Sequence, residues 1–198
     1  MITVVDYGMG NLRNVQRAFE HIGQHVLVSS AVRDIERAEK LVLPGVGAFG
    51  EAVRRIENLG IRTSLLRHVD SGKPLLGICL GMQLLFEESE ENPGVKGLGL
   101  LQGGVVRFPG SVKIPHIGWN DVVPTRESLL FGASVAFPEC FYFVHSFCVM
   151  SSSAEISSTE YGVLFTSAVE KENVTAVQFH PEKSQSAGLA LLKNFAER

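Results

Sequence analysis

Pro74-Leu-Leu-Gly-Ile-Cys-Leu-Gly-Met-Gln-Leu-Leu85 is the stretch that decides the fold of this chain. Residues 75–78 form a short apolar run, which is typical of a strand buried in a parallel sheet. Residues 80–86 continue with a helical pattern. Cys79 therefore stands on a tight turn between a strand and a helix.

The position of Cys79 favours a reactive thiol. Gly77 and Gly81 give the turn small flanks, which it needs because the turning residue has strained backbone angles. The free amides and the positive dipole end of the following helix lie beside the sulfur, where they favour the thiolate and can bind an oxyanion. Alternatively, Cys79 is a small hydrophobic core residue, since unpaired cysteines are often buried.

The other end of the chain favours the reactive interpretation. Residues 175–179 predict a strand that leads into His180-Pro181-Glu182. Pro181 ends the strand and stiffens the turn, so that His180 and Glu182 can project to the same side. A histidine is a base for a thiol, and a carboxylate two residues later can orient the imidazole. Together with Cys79 these residues predict a catalytic triad.

Composition and charge exclude several classes of protein. The 198 residues are 45% hydrophobic and 20% charged, which predicts a single globular domain, 1–198, with a sizeable core. The net charge of -3 and the scattered Lys and Arg residues argue against a nucleic-acid partner. No apolar run has the length of a membrane span, and a strand pattern begins at once, so we expect a cytoplasmic enzyme.

The cysteines predict neither a metal site nor a disulfide framework. Cys79, Cys140 and Cys148 cannot all pair, and their spacing resembles no metal site. We expect structural or incidental roles for Cys140 and Cys148, which flank an apolar strand.

The first half of the chain alternates strand and helix patterns. Strands are predicted at residues 2–6, 26–29 and 40–43, with helices at 12–22, 34–39, 48–59 and 61–69. This alternation predicts an α/β fold with a doubly wound, mostly parallel sheet and helices on both faces. Such sheets bind ligands beyond the carboxyl ends of their strands.

Gly8-x-Gly10 after the first strand invites a dinucleotide-binding interpretation. The third glycine of that fingerprint would fall at Arg13, and no acidic residue closes the second strand. We therefore expect no cofactor.

The loop Pro44-Gly-Val-Gly47 lies at the ligand-binding edge. Taken alone it is a turn before a helix. The two glycines around Val46 also allow close approach to a substrate and leave the Gly45–Val46 peptide free to rotate, so it is a candidate oxyanion loop.

The second half has a different pattern. Glu87, Glu88, Glu90 and Glu91 are expected to close the helix at the surface, and a glycine-rich segment, 94–104, follows. Short, added antiparallel strands are predicted at residues 105–108, 121–123, 141–144 and 163–168, with a polar turn or loop at 151–159 and an amphipathic helix at 184–197.

Six short motifs, in order along the whole chain, resemble the class I (triad) glutamine amidotransferases, and among them the glutaminase subunits of imidazole glycerol phosphate synthase. The motifs are Asp6-Tyr-Gly-Met-Gly-Asn-Leu12, Pro44-Gly-Val-Gly47, Gly77-Ile-Cys-Leu-Gly-Met-Gln83, Pro115-His-Ile-Gly-Trp-Asn120, Tyr142-Phe-Val-His-Ser146 and His180-Pro-Glu-Lys183.

The resemblance implies a role for each site residue. Cys79 would attack the side-chain amide of glutamine, His180 would move the protons and Glu182 would orient His180. The N–H groups of Leu80 and of the loop residue Val46 would form the oxyanion hole. The residues that fall where the family holds the glutamine are Gly47, Gln83, Glu91, Ser146 and Phe147, the last at a position where the family often has Tyr.

The resemblance also implies a partner. Ammonia would pass to a HisF-like cyclase subunit with a (β/α)8 barrel, in a heterodimer that makes imidazole glycerol phosphate and AICAR from PRFAR in histidine biosynthesis. The face toward that subunit would carry Asn11, Trp119, Tyr142 and Lys183. Amphipathic aromatic residues are favoured at interfaces, although plain core packing is the alternative for Trp119 and Tyr142.

Other functions stay open on the residues alone. Another triad amidotransferase would keep the triad but not Met82, the run Gly118-Trp-Asn120 or Lys183. A cysteine hydrolase or redox sensor of similar fold would keep an elbow cysteine without His180-x-Glu182, and a non-catalytic binding module would need neither.

Overall fold

A computed structural model describes residues 1–132 and 138–198. Its centre is a nine-stranded sheet in the order β2-β1-β3-β4-β12-β11-β10-β7-β8. The first five strands in this order are parallel to one another. Their bounds are β1 Ile2–Val5, β2 Val26–Ser29, β3 Lys40–Gly45, β4 Leu75–Cys79 and β12 Val174–Val177.

Helices cover both faces of this parallel half, as the alternating pattern predicts. Their bounds are α1 Leu12–His21, α2 Val32–Arg37, α3 Phe49–Asn58, α4 Arg62–Asp70, α5 Leu80–Leu84 and α6 Gln185–Ala196, and a 3₁₀ turn, Pro181–Lys183, precedes α6. Among the described residues, no helix has the length and apolarity needed to cross a bilayer.

Two hydrophobic cores follow from the alternation of side chains along the buried strands. Val42 points into the core that includes Phe19 of α1 and Phe195 of α6, whose ring centroids are 6.3 Å apart. Its neighbours Leu41 and Leu43 point into the opposite core, which α3, α4 and α5 cover. A strand buried on both faces must be apolar throughout, which explains its continuous hydrophobic run.

The antiparallel strands extend the same sheet. Their bounds are β7 His116–Pro124, β8 Glu139–His145, β10 Glu155–Glu160 and β11 Leu164–Lys171. The added antiparallel strands are as predicted, and β7, with 9 residues, and β11, with 8, are longer than their predicted ranges.

The polar segment 151–159 is not a loop throughout, and this expectation is wrong. Glu155–Glu160 forms β10, between β11 and β7 in the sheet, with Ser157 and Ser158 buried. The hydroxyl groups of Ser157 and Ser167 are 2.9 Å apart and bond to each other across the strands. A cross-strand hydroxyl pair satisfies itself, so a serine-rich strand can be buried.

The glutamates after α5 do not belong to that helix, which ends at Leu84. Glu88–Ser89 forms a short strand, β5, in a second sheet with β6, Gly104–Arg107, and β9, Phe147–Cys148. In the chain β5 follows α5 and β9 follows β8, and Phe147 of β9 lines the same cavity as Cys79.

The packing of α5 on β3 gives a test of the fold. A Cβ added to Gly81 would lie 1.8 Å from the carbonyl oxygen of Leu43. Alanine normally stabilises a helix relative to glycine by up to about 1 kcal/mol, but overpacking of this kind costs about 1 to 3 kcal/mol or more. We expect Gly81→Ala to lower the free energy of unfolding, measured with urea, by at least about 2 kcal/mol.

Gly110→Ala is the matched control, because a Cβ there meets no atom within 4 Å. Its stability should stay within about 0.5 kcal/mol of the unmodified chain. Equal stability of the two variants would contradict the close packing of α5 on β3.

Candidate active site

Cys79 occupies a strained elbow at the end of β4. Its φ of 55° and ψ of -108° lie outside the regions that L-residues prefer, and its side chain is buried with a free thiol. Gly45 of β3 is its register partner in the sheet. The start of α5, Leu80, follows directly, so the amide at the helix N-terminus lies beside the sulfur.

His180 and Glu182 form a buried pair. His180 Nδ1 lies 2.8 Å from Glu182 Oε1, and the two side chains are only 2% and 1% exposed. A carboxylate accepts hydrogen bonds, so Nδ1 carries the hydrogen and Nε2 is left to exchange protons. His180 Nε2 is buried and has no hydrogen-bond partner of ordinary geometry among the described residues.

The charges around His180 favour its cationic form. Burial by itself lowers the pKa of a histidine, but the negative charges of Cys79 and Glu182 outweigh burial and hold the pKa of His180 well above its usual range. The site therefore favours an imidazolium at His180, beside the Cys79 sulfur.

A cavity of about 330 Å³ opens beside Cys79. All five residues predicted to hold the glutamine line it, as do both predicted oxyanion residues. The described lining is Val46, Gly47, Cys79, Leu80, Gln83, Glu91, Pro115, Val144, His145, Ser146 and Phe147. A larger cleft of about 930 Å³ lies elsewhere, and none of its described lining residues is a predicted site residue.

Glu91 has a structural contact as well as a place at the cavity. Its Oε2 accepts a hydrogen bond of 2.7 Å from the backbone N–H of Phe49, the first residue of α3. A carboxylate at a helix N-terminus is stabilised by the free amides and by the helix dipole. The interaction fixes the direction in which the carboxylate faces the cavity.

Two glutamines connect the cavity wall to the sulfur. Gln83 Nε2 donates to the carbonyl of Phe147 at 3.0 Å and to Gln178 Oε1 at 3.1 Å. Gln178 Nε2 in turn donates to Cys79 Sγ at 3.7 Å. Both hydrogens of Gln83 are therefore used within the protein, and its Oε1 stays an acceptor. Gln178 was not among the predicted site residues, although it is a polar residue within an apolar strand pattern.

Two histidines support the same wall. His145 Nδ1 lies 2.8 Å from the Phe147 carbonyl and therefore donates, which leaves its Nε2 to accept from His116 Nδ1 at 3.0 Å. His116 Nε2 must then accept from Asn120 Nδ2, at 3.3 Å, which also donates to the Glu160 carbonyl at 2.9 Å. Because both ends are fixed, the whole chain of hydrogen bonds has one direction.

Hydrogen bonds that all run in this one direction require both histidines to be neutral. Burial lowers the pKa of His116 to about 4, and burial lowers that of His145 to about 3. Both rings belong to the sequence motifs of the family, but their role is not evident from the sequence, because their pairing depends on the register of β7 and β8.

Contacts within the chain join three of the four residues that are predicted to form the partner face. Trp119 is 49% exposed, so core packing does not account for it, and its ring lies 6.1 Å from that of Tyr142. Lys183 Nζ lies 5.4 Å above the Tyr142 ring, in cation–π geometry. Asn11 precedes α1 and caps it with its backbone carbonyl, and no described contact joins it to the other three.

Comparison with known proteins identifies the family of this chain. Residues 3–198 match the sequence model of the family Glutamine amidotransferase class-I. Imidazole glycerol phosphate synthase subunit HisH of Methanothermobacter thermautotrophicus is 50% identical over 199 residues, covering 100% of this chain and 98% of that protein. The chain belongs to the HisH family of class-I glutamine amidotransferases.

Other relatives extend this similarity. HisH of Aquifex aeolicus is 50% identical over 98% of this chain and 95% of its own length. A solved structure described as glutamine amidotransferase superposes with a TM-score of 0.75 at 20% identity over 100% of this chain and 98% of its own. The structure of PurLQS from Thermotoga maritima superposes with a TM-score of 0.73 at 20% identity, over 99% of this chain and 97% of its own. At such identity the two structures share the fold.

The neutral histidine pair of this HisH chain predicts a pH-dependent stability. An unfolded histidine takes up a proton below about pH 6.5, whereas folded His116 does so only near pH 4, so stability falls as the pH drops through this range. The measurement is the free energy of unfolding in urea at pH 7 and at pH 5. We expect the drop between these two pH values to be about 1 to 2 kcal/mol smaller in His116→Gln than in the unmodified chain. Equal losses would contradict a neutral, buried His116.

Proposed function

We propose that this HisH chain hydrolyses glutamine to glutamate and ammonia through the triad Cys79, His180 and Glu182. The observation that carries the proposal is the strained elbow at Cys79, with a buried His180–Glu182 pair and a cavity at the same sheet edge. A structural cysteine needs neither a strained backbone nor an ion pair beside it.

The chemistry follows from the roles of the three groups. The Cys79 thiolate attacks the amide carbon of glutamine, and the carbonyl oxygen becomes an oxyanion. The His180 imidazolium gives its proton to the leaving nitrogen, so that ammonia departs and a thioester remains. Neutral His180 then takes a proton from water, whose oxygen attacks the thioester, and glutamate and the thiolate are released. Glu182 holds the His180 tautomer and stabilises its cation.

Two backbone N–H groups are proposed to stabilise the oxyanion. The N–H of Leu80 belongs to the free first turn of α5 and needs no movement. The second donor is the N–H of Val46, in a loop whose neighbour Gly47 has a φ of 102°. We infer that the Gly45–Val46 peptide presents either its carbonyl or its N–H to Cys79, and that only the second orientation is active.

The cavity lining suggests how glutamine is held. The acceptor Gln83 Oε1 suits the substrate's amide nitrogen, and the fixed Glu91 carboxylate suits the α-ammonium group. Gly47 and the backbone of Ser146 and Phe147 supply the remaining contacts. The reaction needs no cofactor and no metal in this scheme.

We propose that the ammonia passes to a partner. The HisH relatives are named as a subunit of imidazole glycerol phosphate synthase. The partner proposed here is a HisF-like (β/α)8-barrel cyclase that makes imidazole glycerol phosphate and AICAR from PRFAR in histidine biosynthesis, in the cytoplasm. The exposed Trp119 and the Lys183–Tyr142 contact support a protein-binding face at this position.

The experiment that tests the proposed function measures glutamate release from glutamine with and without the cyclase subunit and PRFAR. We expect Cys79→Ser to abolish glutamine hydrolysis, because the alcohol is a far weaker acid than the thiol and is not ionised by His180. Cyclisation driven by added ammonium should survive in the assembled pair. Retained glutaminase activity in the variant would remove Cys79 from its role.

The oxyanion loop has its own test. Val46→Pro removes the Val46 N–H, which forms no backbone hydrogen bond outside the strands among the described residues. Loss of one oxyanion donor costs about 3 to 4 kcal/mol, so we expect stimulated turnover to fall by roughly two to three decades while the variant still folds and binds the cyclase. Stimulation at the unmodified level would show that the second donor lies elsewhere.

A further inference from the structure

The side chain of Tyr7 is an unexplained feature of the site. Tyr7 follows β1 and is 2% exposed, and its hydroxyl oxygen is buried without a hydrogen-bond partner. Burial raises the pKa of Tyr7 well above its usual range, with the charge of Cys79 adding to the effect, so the phenol keeps its proton. A buried donor without an acceptor is costly, and native structures seldom keep one without a reason.

The Tyr7 hydroxyl lies against the oxyanion loop. A Cβ added to Gly45 would be 2.3 Å from this oxygen and 2.9 Å from the Cβ of Leu80. Gly45 is the register partner of Cys79, and the next peptide unit is the Gly45–Val46 peptide. The hydroxyl is therefore behind the start of the loop, between β3 and the first turn of α5, on the side that faces the core.

The loop itself is weakly held, whereas Tyr7 is held firmly. Among the described residues, Val46 and Gly47 form no backbone hydrogen bond outside the strands. The turn after Tyr7 is fixed twice, because the Gly8 N–H donates to Asp6 Oδ1 at 2.9 Å and Arg55 Nη1 donates to the Gly8 carbonyl at 3.1 Å. The hydroxyl is thus a fixed point beside the Gly45–Val46 peptide.

We propose that the Tyr7 hydroxyl donates a hydrogen bond to the carbonyl oxygen of Gly45 when the Gly45–Val46 peptide turns its N–H toward Cys79. The carbonyl and the N–H of a trans peptide point in opposite directions, so an N–H that faces the cavity sends the carbonyl into the protein. A buried carbonyl needs a donor, and the Tyr7 hydroxyl lies unpartnered at that place. Tyr7 is a positioning residue that stabilises the active orientation.

This inference rests on the proposed glutaminase function and its test separates the two. Tyr7→Phe removes the hydroxyl and keeps the ring. We expect the stimulated kcat for glutamine, measured with the cyclase subunit and PRFAR, to fall about 3- to 10-fold, the value of one neutral hydrogen bond. KM should change little, because the hydroxyl does not line the cavity.

The same variant should be more stable when free. Without the cyclase subunit, Tyr7→Phe lacks a buried hydroxyl that has no hydrogen-bond partner. We therefore expect its thermal midpoint to be about 2 to 4 °C higher than that of the unmodified chain. The matched control is Tyr161→Phe, whose hydroxyl is satisfied by the Lys113 carbonyl at 2.9 Å. That variant should be no more stable than the unmodified chain and should keep full stimulation.

A third replacement tests the donor itself. 4-Aminophenylalanine at position 7 keeps an N–H donor on the ring and should restore most of the stimulated kcat. Full stimulation of Tyr7→Phe, or no recovery with 4-aminophenylalanine, would overturn this inference alone. Absence of glutamine hydrolysis by the unmodified chain with the cyclase subunit and PRFAR would overturn the proposed function and this inference with it.

Discussion

The structure depends on the approach of Gly81 in α5 to the carbonyl of Leu43 in β3, where no side chain has room. This contact sets the helix start directly against the neighbouring strand, and Cys79 must turn through a φ of 55° to connect them. A strained residue of this kind costs about 1 to 3 kcal/mol and persists only when packing fixes both of its flanks. The nucleophile, the first amide of α5 and the loop after β3 are thereby brought to one point.

Directional hydrogen bonds determine the rest of the site. A backbone carbonyl can only accept, so the chain from Asn120 through His116 and His145 ends with a donated hydrogen at the Phe147 carbonyl. The same carbonyl accepts from Gln83. Two networks thus meet at one oxygen in the cavity wall. Fully satisfied buried networks of this kind are rigid, and among the described residues the loop residues Val46 and Gly47 take no part in them.

The parallel and antiparallel halves of the sheet have different roles in the site. The parallel half supplies the reactive groups, because its strands end together at one edge. The antiparallel hairpin of β7 and β8 supplies a wall with two sides: His116 and His145 point inward as register partners, whereas Trp119 and Tyr142, also partners, form a contact on the other side. The period of two residues in a strand puts a cavity wall and an exposed aromatic face on the same hairpin.

The sequence by itself determined the elbow, the strands of the parallel half of the sheet and several of the residues that line the cavity, among them Val46, Leu80 and Gln83. These depend on local rules, namely apolar runs, glycine at a strained turn and a proline after a strand, together with motifs in a fixed order. It did not predict β10, because Ser157 is compatible with a buried strand only through its partner Ser167. Gln178, the histidine pair and the Tyr7 hydroxyl depend in the same way on contacts between distant strands. Only the tertiary structure decided these features, because the role of a polar side chain is determined by the partner that it meets or lacks.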